Sequence, residues 1–232
     1  SAASDVYKRQ EKRYHVKLID EYGLSETLFV TTNTHKAAII DGTVGKPLPG
    51  CLVAIVDSDG KKLPFNKEGE IVVHTEDLML GYINSESGLV DRVIRDQWFY
   101  TGDVGYLTRD SELFITGRKK DLIIRGGINI SPRAIEDVLT EHEAIEQAAV
   151  VGVPHIIYGE DGAAIVKLKK GYEFDKIKLS LIEHCKRNLS PVQQPCMFLE
   201  IEEFPYSSTG KIDKKKLKEM LSEKLKIPMS YR

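Results

Sequence analysis

"DLIIRGGINISPRAIEDVLTEH", residues 121–142, marks a change of texture in this chain. Two short apolar runs flank Gly126 and Gly127, a pair suited to a tight hairpin because glycine takes positive φ at little steric cost. Ser131 then stands as a helix N-cap and Pro132 as the first helical residue, with Ile135, Val138 and Leu139 on one face. The spacing predicts strand, Gly-Gly turn, strand, helix.

Upstream, the chain reads as short strands separated by Gly and Asp turns. "CLVAIVD" (51–57) and "GEIVVHT" (69–75) are apolar runs of strand length, followed by "LGYIN", "QWFYTGDVGYL" and "ELFITG". Downstream, "AIEQAAVVGV", "GAAIVKLKKG" and "PCMFLEIEEFP" supply strands. "DKIKLSLIEHCKRNL" places Ile177, Leu179, Leu181, Ile182, Cys185 and Leu189 mostly at helical spacing, and "DKKKLKEMLSEKL" is a last amphipathic helix. The expected picture is β-rich material to residue 119 and a compact α+β unit from residue 120.

Bulk composition excludes several functions. The 232 residues, 41% hydrophobic and 29% charged, are ordinary for a folded protein with a core. A net charge of −2 argues against binding driven by phosphate neutralisation, so no nucleic-acid partner is expected. No apolar run reaches the length of a membrane span. The three cysteines, Cys51, Cys185 and Cys196, lack disulfide or zinc spacing, and a reducing cytoplasm is the expected setting. Residues 1–10, "SAASDVYKRQ", match the translation of a transposase sequencing adapter. They are expected to be an artefact, with the natural sequence of a truncated gene fragment starting near Glu11.

"SSTGKIDKKK" (207–216) poses the functional question. A phosphate loop needs glycine at 205 and Ser or Thr at 212, where Pro205 and Ile212 stand. The lysines that follow interleave with Leu217, Met220, Leu221 and Leu225, the pattern of a solvated helix face over an apolar seam. Lys211 precedes that helix and is not part of its stripe.

"PYSSTGKIDKKKL" resembles the closing motif of the adenylate-forming superfamily, which includes acyl-CoA synthetases, luciferases and nonribosomal-peptide adenylation domains. "YGLSET" (22–27), "VGKPLPG" (44–50), "GEIVV" (69–73), "GY" (81–82), "WFYTGDVGYL" (98–107), "GRKKDLIIRGGINISPRAIE" (117–136) and "VVGVP" (150–154) resemble its other motifs, in its order. The resemblance implies an α/β and α+β fold. Residues 11–119 would be a β-rich C-terminal remnant of the large adenylation domain, and residues 120–232 a small mobile α+β domain hinged at Lys120.

It also implies the chemistry of an AMP-forming acyl-CoA ligase. A carboxylate, from a fatty or other organic acid, reacts with ATP to give acyl-adenylate and pyrophosphate, and coenzyme A then displaces AMP. ATP or AMP would meet Tyr22, Gly23, Ser25, Glu26, Thr27, Asp103 and Arg118. Tyr22 would stack on adenine or serve as a core tyrosine. Glu26 would bind Mg²⁺ through a hard carboxylate oxygen. Thr27 would hydrogen-bond phosphate, and Asp103 would accept from the ribose diol, unless it is a turn aspartate before Gly105. Lys211 would be catalytic, offsetting the charge of two anions brought together. Arg125, Gly126 and Gly127 would face coenzyme A after the small domain turns, and the Gly pair would form a hairpin in either case.

Three departures qualify the match. Ala134 stands where the family has glutamate, while Glu136 is retained. Ser25 replaces the commoner threonine. The family's Ser/Thr/Gly-rich phosphate loop is absent from the sequence, so the chain by itself is expected to be inactive. Two other readings compete: an adenylation domain loading a carrier-protein thiol, and a non-catalytic binding module. Retention of Glu26, Asp103, Arg118 and Lys211 together argues against the second.

Overall fold

The chain folds back on itself at Ser25–Thr27, so that β1 (Glu21–Leu24) pairs antiparallel with β2 (Leu28–Thr32), which in turn pairs with β3 (Lys46–Pro47). The structure, a computed structural model, describes residues 10–34, 40, 42–84, 88–90, 94–208 and 210–225, without the side chains of 84, 88–90 and 223–225. The adapter-like stretch, Gln10 excepted, and the side chain of Leu225 in the apolar seam lie outside what is described. Two compact units divide between Lys120 and Asp121.

In the first unit, β4 (Leu52–Val56), β5 (Gly69–His74), β9 (Trp98–Leu107) and β10 (Leu113–Arg118) form an antiparallel sheet in the order β10-β9-β5-β4. β6 (Tyr82–Asn84) and β7 (Gly88–Val90) make a separate hairpin, and β8 (Ile94–Arg95) pairs with β9. The β-branched runs "LVAIV" and "EIVVH" favour strands, and Ile55, Ile71, Val73 and Leu113 pack into one core with Val30 and Tyr22. Residues 43–45 tie the small sheet to the larger one. Thr43 donates its hydroxyl to the Leu113 carbonyl, and the amides of Val44 and Leu113 bond across to Leu113 and Gly45.

In the second unit, β11 (Ile123–Arg125) and β12 (Ile128–Ile130) form the predicted hairpin, with Gly126 at φ 57° and Gly127 at φ 82°. Positive φ at both central residues is the twist that a two-residue hairpin requires, and it favours glycine. α1 (Pro132–Glu141) follows, with Ser131 extended at the N-cap but making no capping bond from its side chain. The long hairpin of β13 (Ile145–His155) and β14 (Gly159–Leu168) forms the centre of the sheet. After α2 (Phe174–Asn188), β15 (Met197–Glu200) pairs parallel to β14, and α3 (Lys214–Leu225) follows.

β13 and β14 are apolar on both faces because both are covered. Val150, Ala164 and Val166 pack with Ile135, Leu139, Leu181 and Cys185 of α1 and α2; Val151, Val153 and Ile165 pack with Leu217 and Leu221 of α3. α2 buries Ile177, Leu181 and Cys185 at four-residue spacing, whereas Leu179 is 75% exposed, outside the stripe the sequence suggested. No helix of the described residues is long and apolar enough to cross a membrane.

Candidate active site

Asp103 is not a turn residue. It lies inside the ten-residue strand β9 and is 4% exposed. The register shows why it points where it does. β5 residues Glu70 and Val72 pair with Val104 and Tyr100, so that Thr101, Gly102 and Asp103 of β9 face the single residue Ile71. This bulge carries two extra residues and is closed from within. The Thr101 hydroxyl donates to the Ile71 carbonyl at 2.8 Å and accepts the Asp103 amide at 3.0 Å. Bulges re-aim side chains in this way.

The carboxylate so aimed is held on both sides. Tyr22 donates its hydroxyl to Asp103 Oδ2 at 2.9 Å, and Arg118 Nε meets Oδ1 at 3.0 Å. Tyr22 is 7% exposed and belongs to the core cluster. Burial, and next the Asp103 charge, push its hydroxyl far above the usual tyrosine range, keeping it a donor. Arg118, at the end of β10, is half exposed, and its terminal nitrogens have no partner among the described residues. An open cleft of about 420 Å³ lies here, lined by Thr101, Gly102, Arg118, Lys119 and Lys120. Lys119 is paired with Glu70 at 2.6 Å, and Lys120 has no ion-pair partner among the described residues.

The Ser25–Thr27 turn separates its three polar residues. Ser25 is exposed, Glu26 half-buried and Thr27 buried, with the Thr27 hydroxyl 3.4 Å from the Leu28 carbonyl. Gly23 is required by close approach, since a Cβ there would lie 2.2 Å from the Leu28 oxygen. Sequence reasoning missed the partner of Glu26. Tyr82 donates its hydroxyl to Glu26 Oε1, and the Met79 amide bonds to the Glu26 carbonyl. The bond to the carboxylate, more than burial, pushes the Tyr82 hydroxyl up to about 12. The only signal for this was the "GY" pair among the recognised motifs.

In the second unit, Arg125 is turned inward. Its Nε pairs with buried Asp161 at 3.0 Å, its Nη1 donates to the Pro191 and Val192 carbonyls, and its guanidinium lies 4.4 Å from the Tyr158 ring centre. The Gly126 amide also donates to the Tyr158 carbonyl. The Gly-Gly turn is therefore anchored to the β13–β14 tip. Lys211 differs: it is exposed and its ammonium has no partner among the described residues. Its backbone is fixed, with the Ser207 amide donating to the Lys211 carbonyl at 2.8 Å and an isolated bridge between Tyr206 and Ile212.

A family described as AMP-binding enzyme matches residues 1–83, and one described as AMP-binding enzyme C-terminal domain matches residues 134–211. The chain belongs to the AMP-binding, adenylate-forming enzymes. It is 38% identical over 221 residues to a long-chain-fatty-acid–CoA ligase of Bacillus subtilis (strain 168), covering 94% of this chain and 39% of that one. The crystal structure of ATP-bound MatB from Rhodopseudomonas palustris superposes with a TM-score of 0.84 at 29% identity, over 94% of this chain and 43% of that one. The o-succinylbenzoate CoA synthetase of Bacillus subtilis, in complex with its acyl-adenylate intermediate, gives 0.79 at 30% identity, over 90% and 43%. The chain thus spans about two-fifths of the length of these relatives. Its sheet-rich α/β architecture with few helices is that of this AMP-binding family.

Proposed function

We propose that the protein to which these residues belong is an AMP-forming acyl-CoA ligase, and that this chain holds part of its nucleotide site and its catalytic lysine. The observation that carries the reading is Asp103, a carboxylate fixed by a bulge and two donors beside an open cationic cleft. A carboxylate offers about four lone-pair sites, so two remain to accept from the hydroxyls of a ribose diol. The terminal nitrogens of Arg118 and the ammonium group of Lys120 supply positive charge for the phosphate end. Ser25 is the exposed hydroxyl of the same turn, whereas buried Thr27 shapes it.

Glu26 fits a role toward Mg²⁺ delivered with the nucleotide. Among the described residues no three His, Cys, Asp or Glu side chains gather as a metal cluster. Mg²⁺ in phosphate-transfer sites commonly takes only one or two protein carboxylates, with substrate phosphates and water completing its shell. Tyr82 holds one Glu26 oxygen and leaves the other to the ion.

Lys211 then acts in the first half-reaction. Its ammonium stabilises the negative charge that builds as the carboxylate attacks the α-phosphate and pyrophosphate leaves. In the second half-reaction the thiol of coenzyme A displaces AMP, with the Gly126–Gly127 turn facing the pantetheine arm and Arg125 holding that turn in place. Lys120 serves as the hinge between these steps, and the division of the units between Lys120 and Asp121 supports it. The relatives act on acids as different as long-chain fatty acids and o-succinylbenzoate, so the acyl group is assigned only as an organic carboxylate.

In the enzyme that carries these residues, Lys211→Ala should lower ATP–pyrophosphate exchange by about 10²–10³, the size of losing one electrostatic contact to the developing charge. Thioester formation from supplied acyl-adenylate should be spared. Equal loss in both half-reactions would sink the assignment. The 232-residue chain alone should give no exchange, because its sequence lacks the family's phosphate loop.

A further inference from the structure

The lysines 214–216 were read as one solvated face, and Lys214 departs from it. Its ammonium lies 2.6 Å from Glu136 Oε1, and the two side chains are only 26% and 19% exposed. The same oxygen accepts the Val150 amide at 2.7 Å. One carboxylate on α1 therefore ties the centre of β13 to the first residue of α3.

This position is unfavourable for a lysine taken alone. The N-terminus of a helix is the positive end of its dipole, so Lys214, Lys215 and Lys216 all oppose it. Asp213, just before the helix, accepts the Lys216 amide at 3.0 Å and offsets part of that cost. Glu136 pairs with Lys214 and turns that lysine inward. The consequence lies three residues upstream, in the loop of Lys211.

That loop has two roots: the first ends on β13, the second on Glu136 of α1, whose carboxylate also holds the β13 amide of Val150. At its start, Phe204 is buried against Ala149, Val151 and Val153, and the Tyr206 hydroxyl donates to Gln147 Oε1 at 2.8 Å. At its end, the Asp213 amide donates to the Pro205 carbonyl at 2.8 Å, and Lys214 then reaches Glu136. Between the roots, the loop has bonds from the Ser207 amide to the Lys211 carbonyl and from the Gly210 amide to the Ser207 carbonyl.

We propose that Glu136 and Lys214 are positioning residues for Lys211: their ion pair fixes the C-terminal root of its loop while leaving the Lys211 ammonium without a partner among the described residues. The proposal rests on the catalytic reading of Lys211 for its meaning, but its physical content concerns this chain alone. A pair that merely glued α1 to α3 would affect the whole unit together. A positioning pair affects the loop first.

Amide hydrogen exchange of the 232-residue chain under native conditions separates the two. In Lys214→Met and in Glu136→Gln, exchange at Ser207, Gly210 and Asp213 should rise about tenfold, while core amides such as Ala164 and Leu181 keep wild-type rates. Lys214→Arg, which keeps charge and reach, should restore the loop to within about threefold. Loop rates unchanged in both variants, or a parallel rise at loop and core, would overturn the proposal. If Lys214→Met does not fold, the contrast of Glu136→Gln with Lys214→Arg still decides. The catalytic reading is tested separately by Lys211→Ala in pyrophosphate exchange, so either claim can fail without the other.

Discussion

Asp103 and Lys211 are both charged residues assigned to nucleotide chemistry, and they are held in opposite ways. Asp103 is buried in a strand bulge, with Tyr22 and Arg118 on its two oxygens. Lys211 is exposed on a loop, its backbone bonded and its ammonium free of partners among the described residues. A group that must define where a ligand sits gains from preorganisation, since ordering it beforehand removes that cost from binding. A group meant to act in one step and withdraw from the next is better left without a competing partner. The same division appears within the second unit, where Arg125 is locked by Asp161 and two carbonyls while Lys211 is not.

The contrast breaks most readily at Asp103. Asp103→Ala leaves the buried Tyr22 hydroxyl without its acceptor, which costs about 1–3 kcal/mol. Arg118 adds less, being half exposed. Urea unfolding followed by Trp98, the only tryptophan of the chain, reports the first unit and should show that loss. An unchanged midpoint would mean that the Tyr22–Asp103 bond contributes nothing.

A smaller effect is expected at His142, the C-cap of α1. The Ala144 amide donates to its Nδ1, so its Nε2 carries the hydrogen toward Ser180. Burial, and next the neighbouring His184, lower its pKa. A lowered value in the folded state means that the neutral form is favoured there. Its stability contribution is full above the ordinary histidine value near 6.5 and is lost as pH falls through the folded value. His142→Gln should therefore flatten the acid side of the stability–pH curve of the second unit; an unchanged slope below pH 6.5 would contradict this.

Tyr82 offers a local reading of the Glu26 site. Its phenol should titrate at about 12 by ultraviolet absorbance, and Glu26→Gln should bring it back toward the ordinary value near 10. The sign follows from the carboxylate disfavouring phenolate, so the contribution is present below pH 10 and fades as pH rises through 12. The smallest effect completes the contrast. Lys211→Ala should change the stability of the second unit by less than about 0.5 kcal/mol, as expected of an exposed side chain without partners. A larger loss would show that Lys211 is structural.

Much of the fold was legible from local pattern. The Gly126–Gly127 hairpin, Pro132 at the start of α1, the apolar strands β4, β5, β13 and β14, and the stripe of α2 all follow from turn chemistry and periodicity. What local pattern left open were the surroundings that come from elsewhere in the chain. For Asp103 the local sequence "TGD" leaves a turn open as the alternative to a ligand role, and only pairing with β5 shows the residue inside a bulged strand. Leu179 fitted an apolar list but falls outside the buried stripe. The inward orientation of Arg125 depends on Asp161, thirty-six residues away.

The sequence by itself determined the order of elements and the family, because motifs, glycine turns and hydrophobic period are written in consecutive residues. It also singled out Lys211, through the resemblance of its closing motif. What tertiary structure decided is the partner of each charge: Tyr22 for Asp103, Tyr82 for Glu26, Glu136 for Lys214. Those pairs join residues 56 to 81 positions apart, and no local propensity encodes them. Burial and strand register bring them together.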